Sequence, residues 1–345
     1  MTVSAAEAGQ AAPARPSVRQ RLAALEQGTL VMGLTVALVV VGALTTRRFF
    51  TTGNLRVVVL LSAALGIVAV GEAIVILGKG VDLSIAVVAA LSAQGAVELW
   101  QNRGFSETEA FLLILGMALV MGFFNGWLVA YAEVPALFAT LGTWQLFNGV
   151  LRRNLVQTNL YNLPRDDHGI LHWIGRGEIL GIQVPIVLAA LVFVGAWVFI
   201  SYTSVGRLIR SMGDNPEAAR LMGAPVRPLQ VSTYVISAVL AAVAGLVILG
   251  KDGGYSTVYG GGSDILFDAI TIVVIGGVSL SGGRGSIFGV FAGAAFVAVI
   301  VNLLTLRNFG LIERNFTKGF ILLIAVTADA WLHPRDEETA KTEDL

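Results

Sequence analysis

Ten apolar stretches alternate with polar ones along the chain, at roughly 29–46, 57–77, 83–100, 110–131, 136–150, 184–201, 231–250, 266–281, 286–305 and 316–332. A helix needs about 20 apolar residues to cross a bilayer core. The pattern therefore predicts an all-α polytopic membrane protein with about ten transmembrane helices. Two stretches, 136–150 and 266–281, are short and have Gly and Pro clustered at their ends. They read as broken or re-entrant helices, which are tolerated only where protein or a watery cavity covers the freed backbone.

The polar intervals set the organisation. Residues 1–28 read as a flexible tail, 29–332 as the membrane domain and 333–345 as a second tail. Arg15, Arg19 and Arg21 precede the first span, and an even span count returns the chain to the same side. Both termini are therefore expected in the cytoplasm. Over the whole chain Lys and Arg divide almost evenly between the two sides, so nothing else in the charge pattern orients it. The first apolar run is followed by Thr45-Thr46-Arg47-Arg48 rather than a small-residue cleavage site, so it is read as a retained span.

One interval, 203–230, holds a water-soluble stretch from Gly206 to Gly223. Asn215 suits an N-cap and Pro216 the first helical position. Glu217 and Arg220 complement the helix dipole, and Gly223 then Pro225 end the helix. Two turns are too few to be stable alone in water. Either the membrane domain or a partner must hold this helix.

Composition agrees with the membrane reading. The 345 residues are 55% hydrophobic and 13% charged, against about 25% charged in soluble domains. Net charge is zero, which gives no footprint for nucleic acid. Cysteine is absent, so disulfide and thiol chemistry are excluded. Gly285, Gly289 and Gly293 recur at one helical spacing and predict a close-packing stripe.

Candidate chemistry is sparse. No Gly-x-Ser-x-Gly, His-Glu-x-x-His or phosphate-loop motif occurs. His168 and His172 are four apart, preceded by Asp166 and Asp167, but Pro164 and Gly169 mark the stretch as a loop rather than a helix on which they could share a metal. Glu72 lies within the second span, near enough to its end to snorkel. Asp82 follows a Gly-rich turn and is read as an N-cap. Asp268 and Asp329 lie near span ends and need no special role. Gly80-Val81-Asp82-Leu83-Ser84 and Gly277-Val278-Ser279-Leu280-Ser281 form a faint internal echo, each followed by an asparagine, Asn125 and Asn302. Thr140, Thr143, Trp144, Gln145, Phe147 and Asn148 give the fifth stretch amides, hydroxyls and aromatic faces suited to a small polar solute. Arg152, Arg153, Arg165 and Arg176 lie in the long interval 151–183, either as solvated loop charge or as a docking face for an acidic partner.

Several of these stretches, taken in order, resemble the permease subunits of bacterial ABC importers for monosaccharides, the ribose/arabinose/xylose type. Gly78-Lys79-Gly80-Val81-Asp82-Leu83-Ser84 is similar to that family's Gly-Gly-Ile-Asp-Leu-Ser stretch. Asn125-Gly126, Val134-Pro135 and Ala139-Thr140-Leu141-Gly142-Thr143 match its central pattern. Gly206-Arg207 followed by Gly213-Asp214-Asn215-Pro216-Glu217-Ala218-Ala219-Arg220 resembles its cytoplasmic signature. Asp268-Ala269-Ile270, Gly276-Gly277 and Ser279-Leu280-Ser281-Gly282-Gly283-Arg284-Gly285-Ser286 resemble the late one. Lys79 stands where the family usually has glycine, and Ile85-Ala86-Val87-Val88 where it often has Val-Gly-Ser.

The resemblance implies a transport subunit rather than an enzyme, in the bacterial inner membrane and working as two permease copies. ABC ATPase subunits would bind ATP and magnesium, leaving this chain without a cofactor. An extracytoplasmic binding protein would deliver the solute. Gly213 to Arg220 then become the ATPase-coupling segment. Asn125, Thr140, Trp144 and Asn148 are the expected substrate pathway, and Arg152 and Arg153 the binding-protein docking residues. The alternatives are a permease for inositol, nucleosides or branched amino acids, or a secondary carrier working without an ATPase.

Overall fold

The computed structural model describes residues 27–156, 158, 160–164, 169–256 and 263–332, with the side chains of 263 and 328–332 excepted. Most of both expected tails, and with them Arg15, Arg19 and Arg21, lie outside the described residues. So do Arg165, Asp166, Asp167, His168 and the side chain of Asp329.

Every predicted span contains a helix. They run α1 (Gln27–Thr45), α2 (Thr52–Leu77), α3 (Ile85–Arg103), α4 (Glu107–Ala130) and α5 (Ala136–Asn154). The interval after α5 holds β1 (Leu160–Asn162), α6 (Ile170–Arg176), β2 (Glu178–Ile179) and β3 (Ile182–Gln183). Then come α7 (Val184–Tyr202), α8 (Ser204–Asp214), α9 (Pro216–Leu221), α10 (Val226–Asp252), β4 (Gly254–Ser256), α11 (Ser263–Ile275), α12 (Ile287–Leu306) and α13 (Leu311–Leu332). Six of these, α1, α2, α4, α7, α10 and α12, are long and apolar enough to cross a membrane by length and composition. The other four predicted spans are helical but fall below that measure.

The two short stretches come out differently. The fifth stretch is not broken: α5 is continuous over 19 residues. The 266–281 stretch is a 13-residue helix, α11, followed by a Gly-rich break. The interval 203–230 is mostly helical, comprising α8, α9 and the start of α10.

The core lies around α2, α3 and α10. Over most of its length α2 is buried, because Ala63, Ala64, Gly66, Ala69, Gly71 and Ala73 let neighbours approach. The most extensive packing is that of α10 on α4. At Gly122 a Cβ would lie 2.7 Å from the Tyr234 carbonyl oxygen, and at Gly126 one would lie 2.7 Å from the Val231 Cα. Only glycine fits such a crossing. The predicted stripe on α12 is partly realised. Gly289 packs onto the Gly276 carbonyl just past α11 and Gly293 onto the Ile272 carbonyl within it, whereas Gly285 precedes the helix and packs on Val278.

Outward faces of α4 and α7 carry Leu112, Leu119, Val120, Phe123, Leu191, Val194 and Trp197 in the open. Such a band is what lipid covers. The long interval after α5 folds over one end of the bundle. There β1 pairs antiparallel with β4, and Tyr161 donates to the buried Glu98 carboxylate at 2.8 Å. His172, read as a loop residue, sits on the short helix α6.

Candidate functional site

The break between α2 and α3 carries the densest buried polar chemistry among the described residues. The Asp82 N–H donates to Glu72 Oε1 at 3.2 Å. Asp82 Oδ1 accepts from the Ser84 N–H at 3.0 Å and the Ser84 hydroxyl at 2.6 Å. Its Oδ2 accepts from the Ser237 hydroxyl of α10 at 3.0 Å. Asn125 of α4 donates through Nδ2 to Ser84 Oγ at 2.6 Å. The Thr140 hydroxyl of α5 reaches the Val81 carbonyl at 3.3 Å. One short break thereby ties α2, α4, α5 and α10 together.

Two readings of these residues are corrected. Glu72 does not snorkel: it is fully buried, and its Oε2 has no hydrogen-bond partner among the described residues. Asp82 does more than cap: Ser84 is the N-cap of α3, while Asp82 folds its own turn and bonds across to α10. Buried polar groups in a membrane domain cost stability unless satisfied, so this lock specifies one arrangement of the four helices. A third correction concerns Asp268, which forms a buried ion pair with Lys318 of α13 at 2.8 Å.

Adjacent to the lock lies a backbone junction. The Gly283 N–H of the second break donates to the Leu77 carbonyl at 3.0 Å. Gly213, at the end of α8, is wedged between them: a Cβ there would overlap both the Leu77 oxygen and the Gly283 nitrogen. The Met212 side chain packs against Gly78. Gly206, Ile209, Met212 and Gly213 form the buried stripe that seats α8.

From this junction α9 projects. Asn215 Oδ1 accepts from the Glu217 and Ala218 N–H groups, both at 3.0 Å, with Pro216 at the first position. The predicted caps are in place, although the helix proper is one turn and a half, Pro216–Leu221. Ala219 is buried against the chain. Leu221 and Met222 are 86% and 88% exposed. The base of the helix is thus held within the chain, while its end is exposed.

The expected pathway residues separate. Asn125 and Thr140 are buried behind α5 in the lock. Trp144 is half-buried against the core, and Asn148 is also half-buried. The exposed face of α5 presents Leu141, Gly142, Gln145 and Gly149. A shallow groove of about 630 Å³ on that face is lined by Gln145, Leu146, Gly149, Val150, Arg153 and Asn154. Arg153 is exposed and Arg152 half-buried at the end of α5. No group of three or more metal-ligating side chains occurs among the described residues.

Sequence reasoning missed the Asp82–Ser237 bond and the Gly213 wedge. Only the glycine in the segment Gly213 to Arg220 offered a signal for the second.

Residues 54–327 match the family described as branched-chain amino acid transport system, permease component. A fructose import permease protein of Rhizobium meliloti is 32% identical over 306 residues, covering 87% of this chain and 84% of the relative. A ribose import permease protein of Haemophilus influenzae is 31% identical over 303 residues, covering 86% and 91%. An autoinducer 2 import system permease protein of Photorhabdus laumondii is 29% identical over 298 residues, covering 86% and 87%. No solved structure matches the chain at a significant level.

Proposed function

The chain belongs to the permease-component family of branched-chain amino acid transport systems, and from that premise we propose that it is the membrane path of an ATP-driven importer for a monosaccharide. It is a multi-pass membrane subunit of a transport system, not an enzyme. The fructose and ribose permeases among its relatives favour a sugar over the amino acid of the family's description.

In this reading two copies pack with their α5 faces toward a shared axis. The path then runs along Gln145 and the glycines of that face. Trp144 and Asn148 flank it, while Asn125 and Thr140 hold α5 in place from behind. An extracytoplasmic binding protein delivers the sugar to the end bearing Arg152 and Arg153. ATP and magnesium act on separate ATPase subunits, into which the segment Gly213 to Arg220 docks on the cytoplasmic side with both termini.

The observation that carries the coupling role is the exposed apolar tip of α9 on a base wedged between both helix breaks. An aliphatic pair so open on a rigid stem suits a cleft in a partner. Movement of that partner would reach the Leu77 and Gly283 backbone directly, and through Gly78–Ser84 the lock. The test is the double substitution Leu221→Asp with Met222→Asp. It should abolish co-purification of the ATPase while membrane insertion stays normal. Full ATPase association by the double variant would overturn the assignment. Ala219→Trp is a poorer probe, since Ala219 is buried in the chain's own seat.

A further inference from the structure

At the end of α7 opposite α8 and α9 lies a small hairpin that the transport reading leaves without a role. Its strands pair as Glu178 with Gln183 and Ile179 with Ile182. The turn residues are Leu180, at φ 52°, and Gly181, at φ 79°. Two consecutive positive φ values make the mirror-image two-residue turn that fits strand twist. Asn, Asp and Gly are the usual occupants of its first position. An aliphatic residue is disfavoured there by contact of its Cβ with the backbone. Leu180 nevertheless takes it, and is 98% exposed.

The surroundings say what Leu180 is exposed to. Ile182 and Ile179 flank it in the open, and the half-exposed Trp173 lies with its ring over Gly177 at the foot of the hairpin. The hairpin leads through the buried Gln183 into Val184 of α7, a helix whose outer face further along belongs to the lipid-facing band. The apolar tip therefore stands at the end of a helix whose outer face lipid covers, at the level where that helix enters the membrane. Tryptophan is enriched at that depth. Charge is missing from the tip: within 178–183 only Glu178 is ionisable, and Arg56 of α2 engages it at 3.4 Å while donating to Gln183 at 2.6 Å. A surface that steers a soluble protein to dock normally offers free charge at its rim. This one offers aliphatic side chains and an interfacial indole.

We infer that the hairpin is a membrane anchor, with Leu180, Ile179 and Ile182 dipping into the headgroup and acyl boundary of the leaflet opposite the α9 face. Arg56 fixes its angle from the start of α2. The anchor sets the depth of α7 at the end away from the coupling helix.

The chain has no cysteine, so single-cysteine labelling needs no background substitutions. Leu180→Cys and Ile182→Cys would each carry a nitroxide in the assembled transporter, reconstituted in phosphatidylcholine vesicles. Leu191→Cys on the lipid face of α7 sets the lipid value, and the exposed Thr158→Cys the water value. Collision with dissolved oxygen, which concentrates in lipid, is compared with collision with a water-soluble nickel complex. Oxygen should dominate at 180 and 182, several-fold above the ratio at 158, with or without the binding protein. Nickel dominance at 180 would overturn the anchor. So would a label at 180 that is wet until the binding protein is added and shielded only then, since the hairpin would then be a protein dock.

Discussion

Two apolar tips project from this molecule at opposite ends of α7, and their difference lies in their roots. The α9 tip, Leu221 and Met222, grows from Gly213, which touches the backbone of both helix breaks. The hairpin tip, Leu180, grows from a two-residue ladder tied to the bundle by the Arg56 side chain. Nothing lies within 4 Å of a Cβ built at Gly181. Exposure is similar at the two tips, so exposure does not assign their roles. A tip rooted in packed backbone passes displacement inward, because packed interiors transmit strain. A tip whose foot is closed by its own Val184 N–H to Gly177 carbonyl bond and tied to α2 by one side chain, away from both breaks, can only hold station.

The largest effect should come from filling the first root. Gly213→Val places a branched side chain where the Leu77 oxygen and Gly283 nitrogen already sit. Overpacking of this kind costs ~1–3 kcal/mol or more, and here it would force α8 off both breaks. Sugar uptake in cells should fall by on the order of a hundredfold, equivalent to ~3 kcal/mol, with the purified subunit melting at a lower temperature. Gly181→Ala in the hairpin strains a positive φ but meets nothing, so uptake should stay within about twofold of normal. Equal losses from the two substitutions would erase the contrast between the roots.

Next comes the lock beneath that root. Asp82→Ala strands the Ser84 N–H, the Ser84 hydroxyl and the Ser237 hydroxyl in a dry interior. Each stranded buried group costs roughly 1–3 kcal/mol. The variant should lose uptake and most of its thermal stability in detergent. Ser237→Ala strands only Asp82 Oδ2 and should cost roughly 1–3 kcal/mol, visible as a smaller drop in melting temperature than that of Asp82→Ala, with uptake retained. A Ser237→Ala variant as damaged as Asp82→Ala would mean that the cross-helix bond, not the turn around Asp82, carries the lock.

The same contrast explains what could be read from the sequence. A helix lies in each of the ten stretches that apolar periodicity marked, and Asn215-Pro216 with Gly223 located α9, because these signals are local. The free tip was half-legible, since a two-turn helix must be held by something. The roots were not. Asp82 and Ser237 lie 155 residues apart, and no spacing rule links them. Glu72 looked close enough to a span end to reach water, but α10, α12, α7 and α11 close around α2. The hairpin was hidden because Leu180 contradicts the turn chemistry that would have announced it. The pathway residues were sorted by chemistry alone, and chemistry does not say which side of α5 faces the interior.

The smallest effect should come from cutting the second root. Arg56 and Glu178 are each about half exposed, with side-chain accessibilities of 53%, and pairs of that kind contribute roughly 0–1 kcal/mol. Arg56→Met keeps the aliphatic length and removes the guanidinium. Melting temperature should move by no more than ~2–4 °C, and uptake should be unchanged. The sensitive readout is amide hydrogen exchange. The amides of residues 178–183 should exchange faster once the hairpin is untied, because local opening reports local support. The amides of 215–223 should keep their protection, since their support is Gly213 and the two breaks at the other end of α7. If exchange at 215–223 rose together with that at 178–183, the tips would share a root through α7, and displacement at α9 would be felt at the opposite membrane surface.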